Sequence, residues 1–112
     1  MKRGELWWAS LGEPSGSEAG FRRPVLIVSA NELNASNLKT VITLPVTGNL
    51  SREHYEMNVR LPARGTGLSV PSVVQTSIIS ATNKRLLTER IGRVPDELMT
   101  RIDSCLKLVL AL

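Results

Sequence analysis

The chain has 112 residues, of which 42% are hydrophobic and 21% are charged, with a formal net charge of +4 and one cysteine. This length predicts a single domain, 1–112, with one core, and the lone cysteine excludes a disulfide framework and a cysteine metal cluster. The first ten residues lack the apolar middle of a signal peptide, and no apolar run approaches the roughly 20 residues that span a bilayer. We therefore expect a cytoplasmic protein with no membrane partner.

Strands dominate the predicted secondary structure. Runs rich in β-branched and aliphatic residues, separated by Gly-, Pro- and Ser-rich connections, predict about six strands. They lie at 5–11, 22–29, 39–47, 57–61, 72–81 and 86–94. Residues 31–37 are interpreted as a short helical turn or loop. Pro45 lies inside the third run and predicts an edge strand or a bulge there, because proline cannot donate to a ladder.

The hydrophobic period changes near the C-terminus. Apolar residues recur there at helical spacing, at Leu98, Ile102, Cys105, Leu106 and Val109. Pro95 suits the first turn of a helix, and the two acidic residues after it suit the positive end of the helix dipole. An amphipathic helix packed on the sheet is therefore predicted over 95–111. Short strands and one terminal helix indicate a mainly β (α+β) fold, as a small barrel or a strongly bent sheet.

The positive charge is concentrated in the second half of the chain. Residues 1–56 carry six basic and six acidic side chains, whereas residues 57–112 carry eight and four. Six cations of this half fall between strands and turns, at Arg60, Arg64, Lys84, Arg85, Arg90 and Arg93. Such a cluster suits a polyanion such as nucleic acid, or an acidic protein. A solvated basic face is the alternative.

A fixed cation is expected where a flexible loop enters a rigid strand. Residues 12–20 are rich in Gly, Ser and Pro, and the chain then continues through Phe21, Arg22 and Arg23 into an apolar strand. Side chains alternate along a strand, so one arginine can serve a site while the other binds a polyanion such as nucleic acid, an acidic partner or solvent. Of Trp7 and Trp8, one is expected in the core. The other, like Phe21, is a candidate to stack on a base.

No residue pattern indicates a metal or a cofactor. The chain has one histidine, His54, with no close set of acids, so one chain cannot form a histidine pair. There is no glycine-rich motif of the kind that cradles phosphates between a strand and a helix, so no nucleotide cofactor is expected. His54 lies beside Tyr55 in the polar loop 48–56 and is expected to be exposed or to contact a ligand. The remaining candidate activity is one carried out by arginine and hydroxyl side chains.

The sequence resembles the MazF/PemK family of toxin endoribonucleases from bacterial toxin–antitoxin pairs. The likeness covers nearly the whole chain and rests on the order and spacing of seven segments. These are RGELWW at 3–8, GSE at 16–18, RPVLIV at 23–28, LPVT at 44–47, PSVV at 71–74, KRLL at 84–87 and IGRVP at 91–95. The resemblance implies a compact SH3-like barrel with a C-terminal helix, usually a homodimer. It also implies metal-independent cleavage of single-stranded RNA at short motifs, and a cognate acidic antitoxin.

The same resemblance assigns roles to individual residues. Arg23 corresponds to the family's arginine before the Pro-Val block, Thr47 to its threonine at the end of the third strand, and Glu18, next to Ser17, to the carboxylate of its first loop. RNA carries its own nucleophile, the ribose 2′-hydroxyl, and its attack on phosphorus builds charge that a guanidinium and a hydroxyl can stabilise. Without the resemblance, Arg23 would be interpreted as one partner of a surface salt bridge, and Thr47 as a residue that is present because it favours β-strand geometry.

The stretch after Ser72 departs from the family pattern. Many members carry an acidic or glutamine pair there, whereas the polar residues of this chain are Gln75 and Ser77. This departure affects the expected choice of RNA base more than the expected chemistry at the phosphate. Two other classes stay open: a non-enzymatic toxin of the same fold that poisons a DNA topoisomerase, and a plain RNA- or peptide-binding barrel. Neither of them needs the pair formed by Arg23 and Thr47.

Overall fold

The structure is a computed structural model that describes residues 1–10 and 22–112. The described residues form seven strands, two α-helices and two short 3-10 turns. The strands are β1 (Glu5–Ser10), β2 (Arg22–Ile27), β3 (Thr40–Thr47), β4 (Asn58–Leu61), β5 (Ser72–Gln75), β6 (Ser80–Asn83) and β7 (Leu87–Arg93). The helices are α1 (Asn31–Asn34) and α2 (Asp96–Leu110), and the 3-10 turns span Leu50–His54 and Lys84–Leu86.

The strands form one antiparallel sheet in the order β4-β5-β3-β2-β1-β7, and β6 also pairs with β3. A mainly β fold with a seven-stranded antiparallel sheet and a C-terminal helix confirms the predicted fold class. The predicted strand 72–81 is instead two strands, β5 and β6. The chain turns between them, where the hydroxyl of buried Thr76 donates to the carbonyl of Met57 and the amide of Ile78 donates to Gln75 O over 3.3 Å.

Strand β3 lies inside the sheet, so the edge strand or bulge predicted from Pro45 is wrong. On one side β3 pairs with β2, and on the other it pairs first with β6, up to Thr43, and then with β5, from Val46. The amide of Val28 donates to Ile42 O over 2.9 Å, so the even-numbered residues of β3 bond toward β2. The nitrogen of Pro45 faces the other side, where the partner strand changes, and proline is tolerated there.

The sheet is covered on both faces. Even-numbered residues of the central strands, including Leu6, Leu26 and Leu44, belong to the larger core cluster, which Met99 and Ile102 of α2 complete. Odd-numbered residues belong to a smaller cluster with Ala9, Val25, Ile27, Val41 and Leu87. Helix α2 confirms the predicted amphipathic helix to within one residue at each end. In the described part of the chain, no helix is long and apolar enough to cross a membrane.

The connection between β4 and β5 crosses β7 at very short range. Gly67 has φ +87°, and a Cβ at Gly92 would lie 1.9 Å from the carbonyl oxygen of Thr66. Thr66 is itself buried, and its hydroxyl donates to the carbonyls of Pro62 and Ala63, each over 2.8 Å. The two backbones can approach this closely because both crossing residues are glycines.

Glu5 ties β1 to β7 through a network of charge-assisted hydrogen bonds. Its carboxylate accepts from the amide of Lys2 (2.9 Å), from Trp7 Nε1 (3.0 Å) and from Arg90 Nε (3.0 Å), and its side chain is 17% exposed. Burial by itself raises the pKa of this carboxyl, but these hydrogen bonds and the charge of Arg90 outweigh burial and hold the pKa below its ordinary value of 4.5.

The Glu5 network predicts a specific acid sensitivity. Because the folded-state pKa is depressed, the stabilisation is present above pH 4.5 and is lost as the pH falls through the folded-state pKa. Glu5→Gln should therefore lower the free energy of unfolding by about 1–3 kcal/mol at pH 7 and by less at pH 3, in urea denaturation at both pH values. Glu56→Gln, at an exposed carboxylate that forms no salt bridge in the described part of the chain, is the control. An unchanged difference across this range would contradict the assignment.

Candidate active site at the end of strands β2 and β3

Arg23 and Thr47 lie at the same end of two neighbouring strands. The β2–β3 register pairs Val25 with Pro45, Leu26 with Leu44 and Ile27 with Thr43. Continued by two residues, it sets Arg23 opposite Thr47, and directly opposite residues of an antiparallel pair project from the same face. Strand β1 pairs with β2 at Arg23, and β5 pairs with β3 at Thr47. Both backbones are therefore held in the sheet while the pair sits at its border.

The two side chains have groups left to bind a ligand. Arg23 is exposed, and it forms no salt bridge within residues 1–10 and 22–112. The Thr47 hydroxyl oxygen accepts from the amide of Asn49 over 3.1 Å, which leaves its proton free to donate. Asn49 then caps the next 3-10 turn, with its Oδ1 accepting from the amide of Ser51 over 3.1 Å. An anion at this strand end would meet a guanidinium fork and an oriented hydroxyl.

Arg22 occupies the opposite face, as strand alternation predicted. Its Nη2 lies 2.7 Å from Glu89 Oε2, and its guanidinium carbon lies 4.7 Å from the ring centroid of Trp8. The cation is thus engaged by a carboxylate and an aromatic face of neighbouring strands. Neither tryptophan is fully buried: Trp7 packs against the smaller core cluster, and Trp8 is half-buried beneath Arg22.

The other predicted residues fall into three groups. Ser17, Glu18 and Phe21 lie outside the described residues. Gln75, at the end of β5, falls beside Pro45 when the β3–β5 register is continued by one residue, so it shares the face of Thr47. Ser77 is exposed in the following turn.

His54 and Tyr55 lie in and just after the 3-10 turn that packs on β4 and β5. Tyr55 is 57% exposed, and its ring lies 5.3 Å from the guanidinium carbon of Arg52. Within the described residues, neither side chain hydrogen-bonds to Arg23 or Thr47. The 48–56 loop thus contacts Thr47 through Asn49 and continues to Asn58, the strand partner of Gln75.

A groove at the same strand end, on the opposite face of the sheet from the pair, was not predicted from the sequence. It has a volume of about 430 Å³ and is lined by Trp8, Pro24, Gly48, Leu68, Val70 and Ile91, among others. Pro24 and Gly48 directly follow Arg23 and Thr47 in the chain. The Gly/Pro-rich connection 62–71 forms its opposite wall, and the composition of that connection was the one available signal. The groove offers an apolar, partly aromatic surface on the face of the sheet that also carries Trp8 and Arg22.

The cations expected to form one basic surface line three separate depressions. Arg60, Arg64 and Arg101 line the first, together with Glu53, which pairs with Arg60 over 3.2 Å. The second contains Lys39, Lys84 and Arg85, and the third contains Lys2, Arg3, Arg90 and Arg93. In the described part of the chain, no group of three or more His, Cys, Asp or Glu residues is arranged to hold a metal ion.

Fold and site together define a small basic β domain that presents an arginine and a threonine at a strand end. The sequence model of the PemK-like, MazF-like toxins of type II toxin–antitoxin systems matches residues 2–110, and the chain belongs to this family. It is 45% identical to endoribonuclease MazF6 of Mycobacterium tuberculosis over 112 residues, covering all of this chain and 98% of the relative. It is 31% identical to endoribonuclease EndoA of Bacillus subtilis, again along its whole length and over 96% of the relative.

Solved structures of the family share the fold. The MazE–MazF structure (Form-II) from Deinococcus radiodurans superposes with a TM-score of 0.83 at 26% identity, covering 100% of this chain and 96% of that one. The family resemblance drawn from the sequence is therefore confirmed.

Proposed function

We propose that this protein is a toxin endoribonuclease that cleaves single-stranded RNA in a sequence-specific, metal-independent way. The observation that carries the proposal is the placement of Arg23 and Thr47 on one face at the ends of β2 and β3. The endoribonuclease names of MazF6 and EndoA support this function over a topoisomerase poison or a plain binding barrel. We propose Arg23 and Thr47 as the catalytic residues.

The proposed reaction uses the substrate's own nucleophile. The ribose 2′-oxygen bonds to the adjacent phosphorus and loses its proton to solvent, the bond from phosphorus to the 5′-oxygen breaks, and that oxygen gains a proton. Negative charge grows on the phosphoryl oxygens, where the Arg23 fork and the Thr47 hydroxyl donate. An arginine side chain, with a pKa above about 12, is a poor base, so Arg23 acts by electrostatic stabilisation.

Residues around the pair supply contacts to the RNA. Trp8 and the apolar groove, at the same strand end but on the opposite face of the sheet, suit a stacked base or a ribose of the bound RNA. Gln75 shares the face of Thr47 and is a candidate reader of a base edge, as is Ser77 in the following turn. We keep Ser17, Glu18 and Phe21 as supporting candidates, and Arg22, His54 and Tyr55 as RNA-binding candidates.

A cognate antitoxin and a second copy of the chain are the proposed protein partners. A ribonuclease that cuts cellular RNA needs an inhibitor, and the Deinococcus radiodurans structure pairs a MazF with a MazE. The net charge of +4 favours an acidic inhibitor that folds onto one or more of the basic depressions. We propose that residues 1–112 act as a single cytoplasmic domain in a homodimer.

The purified protein is expected to cut single-stranded RNA in the presence of a chelator. The reaction above needs only donors to the phosphoryl oxygens, so EDTA should leave the rate unchanged. Products should carry a 5′-hydroxyl and a 2′,3′-cyclic or opened 3′-phosphate, which end-labelling and mass spectrometry identify. The same RNA with 2′-deoxyribose at the cut site is the control, and it should resist cleavage.

Two outcomes would contradict the proposal. Activity that disappears with EDTA and returns with Mg²⁺ would show that a metal performs the chemistry. Products with a 5′-phosphate would show that water, rather than the 2′-hydroxyl, attacks phosphorus.

A further inference from the structure

A strongly basic cleft lies at the opposite end of β3 from Thr47. Its volume is about 720 Å³, and its lining includes Lys39, Lys84 and Arg85 with the amides Asn37 and Asn83. No acidic residue lines it, and none of its three cations forms a salt bridge in the described part of the chain. The cleft around Arg60 differs, because Glu53 neutralises part of its charge. The unopposed charge makes the β3 cleft the stronger anion site.

The cations of this cleft are presented on a fixed frame. Thr40 of β3 pairs with Asn83 of β6, and the amide of Lys84 donates to Lys39 O over 2.8 Å. Asn83 Oδ1 accepts from the amide of Arg85 over 3.0 Å and so caps the 3-10 turn. Lys84 Nζ donates to Ser36 O over 3.0 Å, which orients its ammonium group and leaves two donors free. The backbone that carries the three cations, and the Lys84 ammonium group, are therefore held in place before an anion binds.

We infer that this cleft is a second RNA-binding site, which holds phosphates of the strand several nucleotides away from the cut. Lysine, arginine and amide donors are the groups that contact phosphate and ribose oxygens without reading sequence. An acidic protein segment needs apolar pockets as well as charge, and the lining offers one apolar side chain, Leu38, which is 53% exposed. The donor chemistry thus favours a nucleic-acid backbone over a protein partner.

The second site rests on the proposed ribonuclease function and extends it. Lys39 directly precedes β3 and lies eight residues before Thr47, so their Cα atoms are about 26 Å apart along the strand at roughly 3.3 Å per residue. Lys39 continues the odd-numbered series of β3 that contains Thr47, so both belong to the same face of the sheet. Only an RNA that extends well beyond the cut motif can reach both places. The cleft should therefore act on long substrates and be silent for short ones.

The test compares long and short RNA in a charge-reversal variant of the cleft. K39E/R85E leaves the Lys84 hydrogen bond in place, and R64E/R101E reverses equal charge in the other cleft as the matched control. An RNA of about 30 nucleotides and one of about 6, both containing the cut motif, are assayed for cleavage. Versions with 2′-deoxyribose at the cut site are titrated by fluorescence anisotropy at several KCl concentrations, and thermal melts check folding.

For K39E/R85E we expect Kd and KM for the long RNA to rise by about tenfold or more, with kcat/KM for the short RNA unchanged. The slope of log K against log salt should fall by about 1.4, because each lost single-strand phosphate contact removes about 0.7. The control variant should change long-RNA binding much less. Equal losses in both variants, or no loss in either, would overturn the second site. If wild type binds the deoxy RNA but cleaves neither substrate, the proposed function fails while the cleft is still tested.

Discussion

The Arg23→Ala variant is expected to cleave RNA about 100- to 1,000-fold more slowly than wild type, because it removes a donor pair aimed at the charge of the transition state. The effect should be on kcat in single-turnover assays with saturating RNA, since binding also depends on other cations. Stability should change by less than about 0.5 kcal/mol, because the Arg23 side chain is exposed. Arg22→Ala is the matched control: it removes an identical side chain on the opposite face and should slow cleavage far less.

Thr47 offers a second test of the same pair. Thr47→Ala should also slow cleavage strongly, whereas Thr47→Ser, which keeps the hydroxyl that accepts from Asn49, should restore most of the rate. If Arg22→Ala proves the more damaging arginine variant, the active site lies on the other face of β2. If Thr47→Ser is as slow as Thr47→Ala, the hydroxyl has no role in the reaction.

The largest loss of stability is expected from Gly92→Ala. The added Cβ would lie 1.9 Å from Thr66 O and 2.8 Å from Thr66 C, both backbone atoms. This clash can be relieved only if the 62–71 connection separates from β7. That separation would expose the buried Thr66 and the core next to it. We expect a loss of about 4 kcal/mol or more, the range of backbone clashes and core disruption. Tm should fall by more than about 10 °C.

Gly65→Ala is the control for that experiment. Gly65 lies in the same connection and also has positive φ, +83°, but nothing lies within 4 Å of its added Cβ. Its loss should be limited to the backbone strain of about 1–2 kcal/mol. Equal losses in the two variants, measured by urea denaturation, would show that the close crossing of the two backbones does not hold the domain together.

Much of the fold follows from local sequence patterns. Apolar runs and Gly/Pro connections located every strand to within two residues, except where the run 72–81 hides a turn. That turn is made by a buried hydrogen bond from Thr76 to a residue far away in the chain, which no local pattern encodes. The prediction of an edge strand or bulge at Pro45 was wrong for a similar reason. A proline is tolerated inside this sheet because the partner strand of β3 changes beside it.

The placement of Arg23 and Thr47 on one face followed from the sequence, whereas the surroundings of the two residues did not. The alternation of side chains along the strand predicted that Arg22 and Arg23 lie on opposite faces. The family resemblance identified Thr47 as the partner of Arg23. The groove on the opposite face of this strand end forms only when the 62–71 connection folds back against β7, which depends on tertiary packing. The basic residues were predicted to form one cluster because their positions are close together in the sequence. Sheet topology distributes them over three depressions, and sequence spacing carries no information on this.

Strand β3 has a dynamic consequence as well as a structural one. It is paired on both sides along most of its length, whereas β4 and β7 lie at the ends of the sheet order. Its amides should therefore exchange with deuterated solvent only through global unfolding, while the border strands open locally. The separation between Thr47 and Lys39 should then be preserved while the border strands open. If both proposed sites bind RNA, the spacing of the two bound phosphates would stay constant while the loops on either side fluctuate.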